Sequence, residues 1–445
     1  MKNISWNDQD GLFLPEMALD FLPPEKLREI QSQRLIATVK LAYDHVPFFR
    51  ARMEEKGLTP GDIKGIDDIV LLPFSMKKDL RDTYPYGLFA VDMKEVVRLH
   101  ASSGTTGKPI VVGYTQEDMD VWTQAVKRGL LATGFRNTDI VQNFYGYGLF
   151  TGGLGIHYGL EALGATVIPI SGGNTERQIM VLKDFNVTAV GGTPSYFVHI
   201  IDVADKMGID ISRLNLKRGI FGAEPWSEGM RTYIQERSGI KAFDIYGLSE
   251  ILGPGVGCEC EHQNGIHIFE DHFFPEIIDP ETLQPLPDGE EGELVISTIS
   301  KRAMPILRYR TRDITSIETE KCICGRTIRR IRRIGRRSDD MFIIRGVNVY
   351  PSQIETALLR AEKALPHYQI VLETKNNMDL VDIHVEVSRE MISDTVSDMD
   401  AISRRLRHAI EQVIGISVAV TLREPGSIPR SEGKAKRTID NRQHI

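Results

Sequence analysis

The chain has 445 residues, 41% of them hydrophobic and 26% charged, and its 54 Lys and Arg against 61 Asp and Glu leave a net charge of −7. That length accommodates two or three domains with a large core, and the acidic balance excludes a dedicated nucleic-acid binder, so any anionic ligand must be held by local features. The first residues lack an apolar h-region, and the most apolar stretch, 145–170, is broken by glycines and Glu161, so neither a signal peptide nor a membrane span is expected and the chain reads as cytoplasmic.

Leu27, Ile30, Leu35, Val39 and Val46 recur at helical spacing and Pro47 closes the run, which predicts packing helices over 24–57. Val96-Val97-Arg98-Leu99 reads as a buried strand end. It leads into His100-Ala-Ser-Ser-Gly-Thr-Thr-Gly-Lys-Pro109. Gly104 and Gly107 let the backbone curl so that successive N–H groups point inward. Ser102, Ser103, Thr105 and Thr106 add hydroxyl donors and Lys108 a charge, which together make a nest for a polyphosphate. A Walker A loop needs four residues between its glycines and Ser or Thr after the Lys; here two residues intervene and Pro109 follows. A polar surface turn is the bland reading of such composition, but the density of hydroxyls beside a terminal Lys favours phosphate.

Beyond the loop, 116–133 reads as a helix lying behind the nest. Short β-branched runs at 165–170, 187–191, 216–221 and 242–246 then alternate with helical segments at 176–185 and 227–238. This spacing predicts a mostly parallel sheet in an α/β fold, with ligands at the carboxyl ends of its strands. Gly222-Ala-Glu-Pro225 and Tyr246-Gly-Leu-Ser-Glu250 fall at such ends. Turns near 279–282 and 287–292 introduce a smaller β-rich part. Seven arginines crowd into 326–337, a run that reads as a solvated face, with a place near nucleotide or coenzyme A phosphates as the alternative. A boundary is expected at 337/338, which leaves an N-terminal domain of 1–337 and a C-terminal domain of 338–445. In the latter, Val396, Met399, Ile402, Leu406, Ile410 and Val413 define one buried helical face.

The four cysteines form two pairs, Cys258 with Cys260 and Cys322 with Cys324. Thiolates two apart on one loop grip a tetrahedral ion from one side, and two such loops close the shell, so structural zinc is expected. His262 could replace Cys258 as a ligand. Four ordinary buried thiols are the competing reading.

The glycine-rich loop, Gly222-Ala-Glu, Tyr246-Gly-Leu-Ser-Glu250, Tyr309-Arg-Thr-Arg-Asp313, Arg337-Ser-Asp339 and Gly433-Lys434 occur in the order of the adenylate-forming, acyl-CoA synthetase superfamily, which the chain resembles over roughly residues 100–437. Within it, Glu270-Asp-His-Phe-Phe-Pro275, Arg345-Gly-Val-Asn-Val-Tyr-Pro351 and Arg430-Ser-Glu-Gly-Lys434 are similar to the phenylacetate–CoA ligase family. Arg336 departs from the glycine common in that family before Arg-Ser-Asp.

The resemblance implies a large α/β domain, a small mobile α+β domain, and ligation of an aryl acetic acid to coenzyme A through an acyl-adenylate, with release of pyrophosphate and AMP. It also implies the roles. The nest at 102–108 holds the outer phosphates of ATP and Glu250 binds Mg²⁺. Asp313, assisted by Arg337, binds the ribose. Gly222, Ala223 and Glu224, with Asp244, Tyr246 and Gly247, flank the adenine. Lys434 bridges the carboxylate and the α-phosphate, and Asp339 is the hinge. Tyr145, Tyr147 and Phe150 are the expected aromatics of the acid pocket. A homodimer is compatible with the family. An adenylyltransferase acting on a deazaflavin and a non-catalytic AMP-binding relative are the alternatives.

Overall fold

The structure is a computed structural model that describes residues 15–102, 109–344, 347–361, 364–375, 378–387, 396–430 and 437–442. Ser103, Gly104, Thr105, Thr106, Gly107, Lys108, Arg345 and Lys434 lie outside these residues.

The chain opens with helices α1 (Pro24–His45), α2 (Pro47–Glu55) and α3 (Lys77–Asp82). Pro47 takes the first position of α2, where its missing N–H would have had no helical partner. A two-stranded antiparallel ribbon follows, β1 (Arg98–Ser102) and β2 (Ile110–Tyr114), which brackets the glycine-rich loop. The expectation of a buried strand end is corrected here: Val97 and Leu99 are exposed, and the ribbon buries His100 and Ala101 instead. Helix α4 (Gln116–Ala132) starts at a capping box in which Thr115 Oγ1 accepts from the Asp118 N–H and the Asp118 carboxylate accepts from the Thr115 N–H. That arrangement satisfies N–H groups with no carbonyl partner in the first turn.

Next come β3 (Ile140–Asn143), α5 (Thr151–Leu163), β4 (Thr166–Ile168), α6 (Thr175–Asp184), β5 (Ala189–Gly192), α7 (Pro194–Lys206), β6 (Arg218–Gly222), α8 (Glu228–Ser238) and β7 (Lys241–Tyr246). The sheet continues through β8 (Gly257–Cys258) and β9 (Ile266–Ile268) and, late in the chain, β13 (Arg330–Ile331), in the spatial order β13-β9-β8-β7-β6-β5-β3-β4. From β7 to β4 every pairing is parallel. The central strands β5, β6 and β7 are buried along almost their whole length, as strands covered by helices on both faces must be. Helices α6, α7 and α8 seal one face around Phe197, Phe221 and Ile234, and α4 and α5 pack Val126, Ile156 and Leu160 into the other core cluster.

Strands β10 (Phe273–Ile278), β11 (Gly292–Thr298), β12 (Tyr309–Thr315) and β14 (Arg336–Arg337) form an antiparallel sheet. Residues beyond 341 build a separate core from β15 (Phe342–Ile344), β16 (Val347–Val349), α9 (Pro351–Arg360), β17 (Ala364–Lys375), β18 (Met378–Val387), α10 (Val396–Ile414), β19 (Ala419–Arg423) and β20 (Thr438–Asp440). The helical stripe read from the sequence buries Ile402, Leu406 and Ile410 in that core. No helix among the described residues is long and apolar enough to cross a membrane.

Candidate active site at the strand ends

The parallel strands end where the sequence placed its motifs. Gly222 closes β6, and a Cβ there would come within 2.4 Å of the Ile245 carbonyl oxygen, so only glycine lets β6 and β7 run this close. Ala223 follows at φ +71°, a left-handed conformation that a side-chain-bearing residue adopts only under constraint. Glu224 then turns back to accept the Ser195 N–H at 2.8 Å.

At the end of β7, the Tyr246 hydroxyl donates to Asp313 Oδ2 at 2.6 Å, and Arg337 Nη1 donates to Asp313 Oδ1 at 2.7 Å. Arg337 also grips Asp339 through Nε and Nη2 at 2.9 and 3.1 Å. Burial pushes the Asp313 carboxyl above the usual carboxylate range, opposed by the Arg337 guanidinium and the Tyr246 hydroxyl. The result is a fixed carboxylate on β12 facing the carboxyl ends of the sheet, tied through one arginine to the start of the small domain. A cavity of about 420 Å³ opens beside it between the domains, lined by Glu224, Trp226, Arg336, Asp339, Tyr350 and Arg437 among others.

Gly247 follows Tyr246 in a turn so tight that a Cβ would meet the Leu252 carbonyl oxygen at 2.8 Å. The turn carries Glu250, which is buried with Lys77 Nζ 4.0 Å away. Behind it stands Lys301, which no motif flagged. Its ammonium donates to the Ile251 and Glu250 carbonyls at 2.9 and 3.4 Å and sits 4.7 Å from the centre of the Tyr114 ring. Burial pushes its pKa down to about 8, with the Asp118 and Glu250 charges opposing. Tyr114 stacks on Trp122 of α4, and His100 meets both rings edge-on. The base of the β1–β2 ribbon is therefore packed on an aromatic layer. Ser102, the one loop residue in view, has a buried hydroxyl with no partner among the described residues.

Of the three aromatics expected in the acid pocket, Tyr145 is buried, and its phenol, raised by burial, lies near the backbone of Gly222. The Tyr147 hydroxyl accepts from Asn143 Nδ2 at 2.8 Å and lies 3.2 Å from His157 Nδ1, and burial pushes its pKa up to about 12. Phe150 caps α5 and stands half-exposed. The structure thus gathers Tyr145 with the end of β6 and leaves Phe150 exposed.

Asp244 is tied to the arginine run and to β8's neighbour Glu259. Its carboxylate takes Arg333 Nε at 3.1 Å, while its N–H donates to Glu259. Arg333 also reaches Glu228 and the Trp226 carbonyl. The arginine run is accordingly no solvated face: Arg330 is buried, Arg326 pairs with Asp20, Arg329 with Glu270 and Arg337 with Asp313. Each lies against a carboxylate or carbonyl contributed by a distant segment.

The cysteine expectation is corrected in one ligand. Cys260, Cys322, Cys324 and His267 bring their ligand atoms within 4.8 Å of one another. Cys260 Sγ lies 3.7 Å from Cys322 Sγ, and Cys324 Sγ lies 3.4 Å from His267 Nε2. Cys258 is not in the group; it sits on β8 with its thiol donating to the Asp244 carbonyl at 3.5 Å. His262 is not in it either. Cys258 precedes Cys260 along an extended backbone, and β9 alone, pairing with β8 and β13, carries His267 to the thiols. The signal available was the single histidine inside Ile266-His-Ile268, a polar residue in an apolar strand.

A doubly covered parallel sheet, a buried carboxylate on a neighbouring sheet and a small domain hung on an Arg–Asp pair fit an adenylate-forming enzyme. The family model of the AMP-binding enzymes matches residues 23–301, and that of the AMP-binding enzyme C-terminal domain matches 346–442. A phenylacetate-coenzyme A ligase of Thermus thermophilus is 48% identical over 97% of this chain and 100% of its own length, and one of Escherichia coli is 49% identical over 95% and 96%. The chain belongs to the AMP-binding enzyme family, among its phenylacetate–coenzyme A ligases.

Among solved structures, a 2-hydroxyisobutyryl-CoA ligase in the postadenylation state superposes with a TM-score of 0.90 at 28% identity, covering 97% of this chain and 94% of that one. The same ligase with coenzyme A in the thioesterification state gives 0.71 at 28% identity, covering 98% and 95%.

Proposed function

We propose that the protein joins phenylacetate to coenzyme A. A carboxylate oxygen attacks the α-phosphorus of ATP, the bond to pyrophosphate breaks, and the thiol sulfur of coenzyme A then attacks the acyl carbon and displaces AMP. The observation that carries this reading is the Tyr246–Asp313–Arg337 corner at the strand ends, on a chain similar from end to end to ligases of that name. Charge neutralisation is the main requirement of such a reaction, because no covalent enzyme intermediate is needed. Asp313 accepts the ribose hydroxyls, and Gly222 to Glu224 with the 244–247 segment bracket the adenine. The loop at 102–108 holds the outer phosphates. Lys434 would bridge the carboxylate and the α-phosphate. Tyr145, Tyr147 and Phe150 border the ring of the acid, and Asp339 is the hinge between domains 1–337 and 338–445. Glu250, buried in the turn that follows β7, fits a Mg²⁺ ligand, and the ion would offset phosphate charge.

The same reading places a structural zinc at Cys260, His267, Cys322 and Cys324, whose three sulfurs and one ring nitrogen suit that ion and leave no open position for substrate. The cytoplasm, where ATP and coenzyme A are supplied, is the compartment that fits free thiols. Pyrophosphate release is measured with ATP and Mg²⁺ over a panel of aryl acids, with and without coenzyme A. Sustained turnover on phenylacetate that depends on coenzyme A is expected. Equal turnover without it, or none with any acid, overturns the reading.

A further inference from the structure

The segment between β3 and α5, residues 144–150, gains little from packing over its second half. Among the described residues, nothing lies within 4 Å of where a Cβ would stand on Gly146 or Gly148, and Leu149 and Phe150 are 66% and 51% exposed. A stretch that buries so little apolar surface takes its position from hydrogen bonds. Tyr147 is held by its own side chain, whose hydroxyl accepts from Asn143 Nδ2 at 2.8 Å. Leu149 is held by its carbonyl, and the donors come from β1: the Ala101 N–H at 2.9 Å and His100 Nδ1 at 3.0 Å. Just beyond, Thr151 Oγ1 lies 3.3 Å from Ser249 Oγ, in the turn that carries Glu250.

His100 is buried, with its ring edge-on to Tyr114 and Trp122 at 5.8 and 5.7 Å between centres. Burial pushes its pKa below the usual histidine value, with the bond to the Leu149 carbonyl opposing, so at neutral pH the ring carries one proton. A carbonyl oxygen can only accept, which places that proton on Nδ1. Nε2 is buried and has no partner among the described residues. Leaving a buried lone pair unsatisfied is a cost that a phenyl ring in the same layer would avoid. Packing alone therefore does not account for a histidine here, whereas the bond to Leu149 does. The wall behind the ring is fixed: Trp122 Nε1 donates to the Pro254 carbonyl at 2.6 Å, and a Cβ on Gly155 of α5 would come within 2.7 Å of the indole. A rigidly seated donor thus meets a segment that has little else to place it.

We propose that His100 is a positioning residue for recognition of the acid: through Nδ1–H it fixes the Leu149 carbonyl, and with it residues 147–150, against β1. The inference rests on the ligase reading, in which Tyr147 and Phe150 border the ring of the acid. It assigns His100 no contact with substrate.

Two substitutions separate this role from packing. His100→Phe keeps an aromatic ring in the layer and removes the donor; His100→Asn removes the ring and keeps, on Nδ2, a donor close to where Nδ1 stands. Positioning makes Asn the better replacement, and packing makes it Phe. In coenzyme A-dependent turnover, His100→Phe is expected to raise the KM for phenylacetate about 3- to 10-fold, the span of one neutral hydrogen bond. The KM for ATP should stay within about a factor of two, and the preference in kcat/KM for phenylacetate over the acid one methylene longer should narrow. His100→Asn should recover most of the acid KM. A Phe variant as good as the Asn variant, or a raised KM for ATP with that for the acid unchanged, overturns the proposal. Hydrogen exchange read by mass spectrometry needs no turnover. Amides of residues 145–151 should exchange about 3- to 10-fold faster in His100→Phe than in the parent, and near the parent rate in His100→Asn; exchange unchanged in His100→Phe overturns the proposal. If His100→Phe does not fold, His100→Leu, smaller and also without a donor, takes its place. An unmodified enzyme inert toward every aryl acid refutes the ligase reading, and exchange still decides whether His100 holds the segment.

Discussion

Replacing Tyr246 by Phe removes one oxygen and leaves the ring in its packing. The lost hydroxyl donates to Asp313 at 2.6 Å, the length of a charge-assisted O–H···O⁻ bond. Such a bond to an ionised group contributes about 1.5–3 kcal/mol. Asp313 keeps Arg337 at 2.7 Å, so it stays in place but loses one of the two groups that favour its charged form. Burial already raises its pKa, and the substitution raises it further. Protonation would cost Asp313 an acceptor for the ribose hydroxyls, so affinity for ATP must fall as pH drops through that pKa, and the fall must begin at higher pH in the variant. If the whole loss falls on ribose binding, the KM for ATP rises about 10- to 100-fold. Pyrophosphate release as a function of ATP concentration, repeated down the acid range, measures both effects. A KM unchanged at every pH, or an acid limb that moves downward, refutes the coupling of Tyr246 to Asp313.

Lys301→Met leaves the Glu250 and Ile251 carbonyls without their buried donor, an omission that costs about 1–3 kcal/mol per group; a lowered melting temperature and a several-fold higher Mg²⁺ requirement for pyrophosphate release are expected. Cys260→Ser should reduce bound zinc to a small fraction of the chains, whereas Cys258→Ser should retain it, as metal analysis of the purified proteins will read; equal retention in both would refute the ligand set. Gly192→Ala places a Cβ 1.7 Å from the Phe144 ring, deep in the sheet core, and overpacking of that kind costs about 1–3 kcal/mol or more, visible as earlier denaturant unfolding.

Much of this molecule is legible in its residue order because the chemistry sits where chain segments end. The β-branched runs specify parallel strands by composition and spacing alone, and a motif that follows such a run lies at its carboxyl end whatever the rest of the chain does. Gly222 to Glu224 and Tyr246 to Glu250 were therefore placed by local pattern, as was the separate core of the C-terminal part. Partners are another matter. Asp244 and Arg333 are 89 positions apart and Cys260 and Cys322 are 62 apart, and no local preference encodes which distant carboxylate an arginine will meet. The arginine run looked like a surface because charge is read as solvation until its counter-charges are folded against it. Cys258 looked like a ligand because proximity along the chain stood in for proximity in space, whereas the pairing of β8, β9 and β13 carries His267 to the thiols. The motifs and their order belong to the sequence; the ion pairs, the metal-ligand set and the setting of the two domains exist only once long-range contacts have closed.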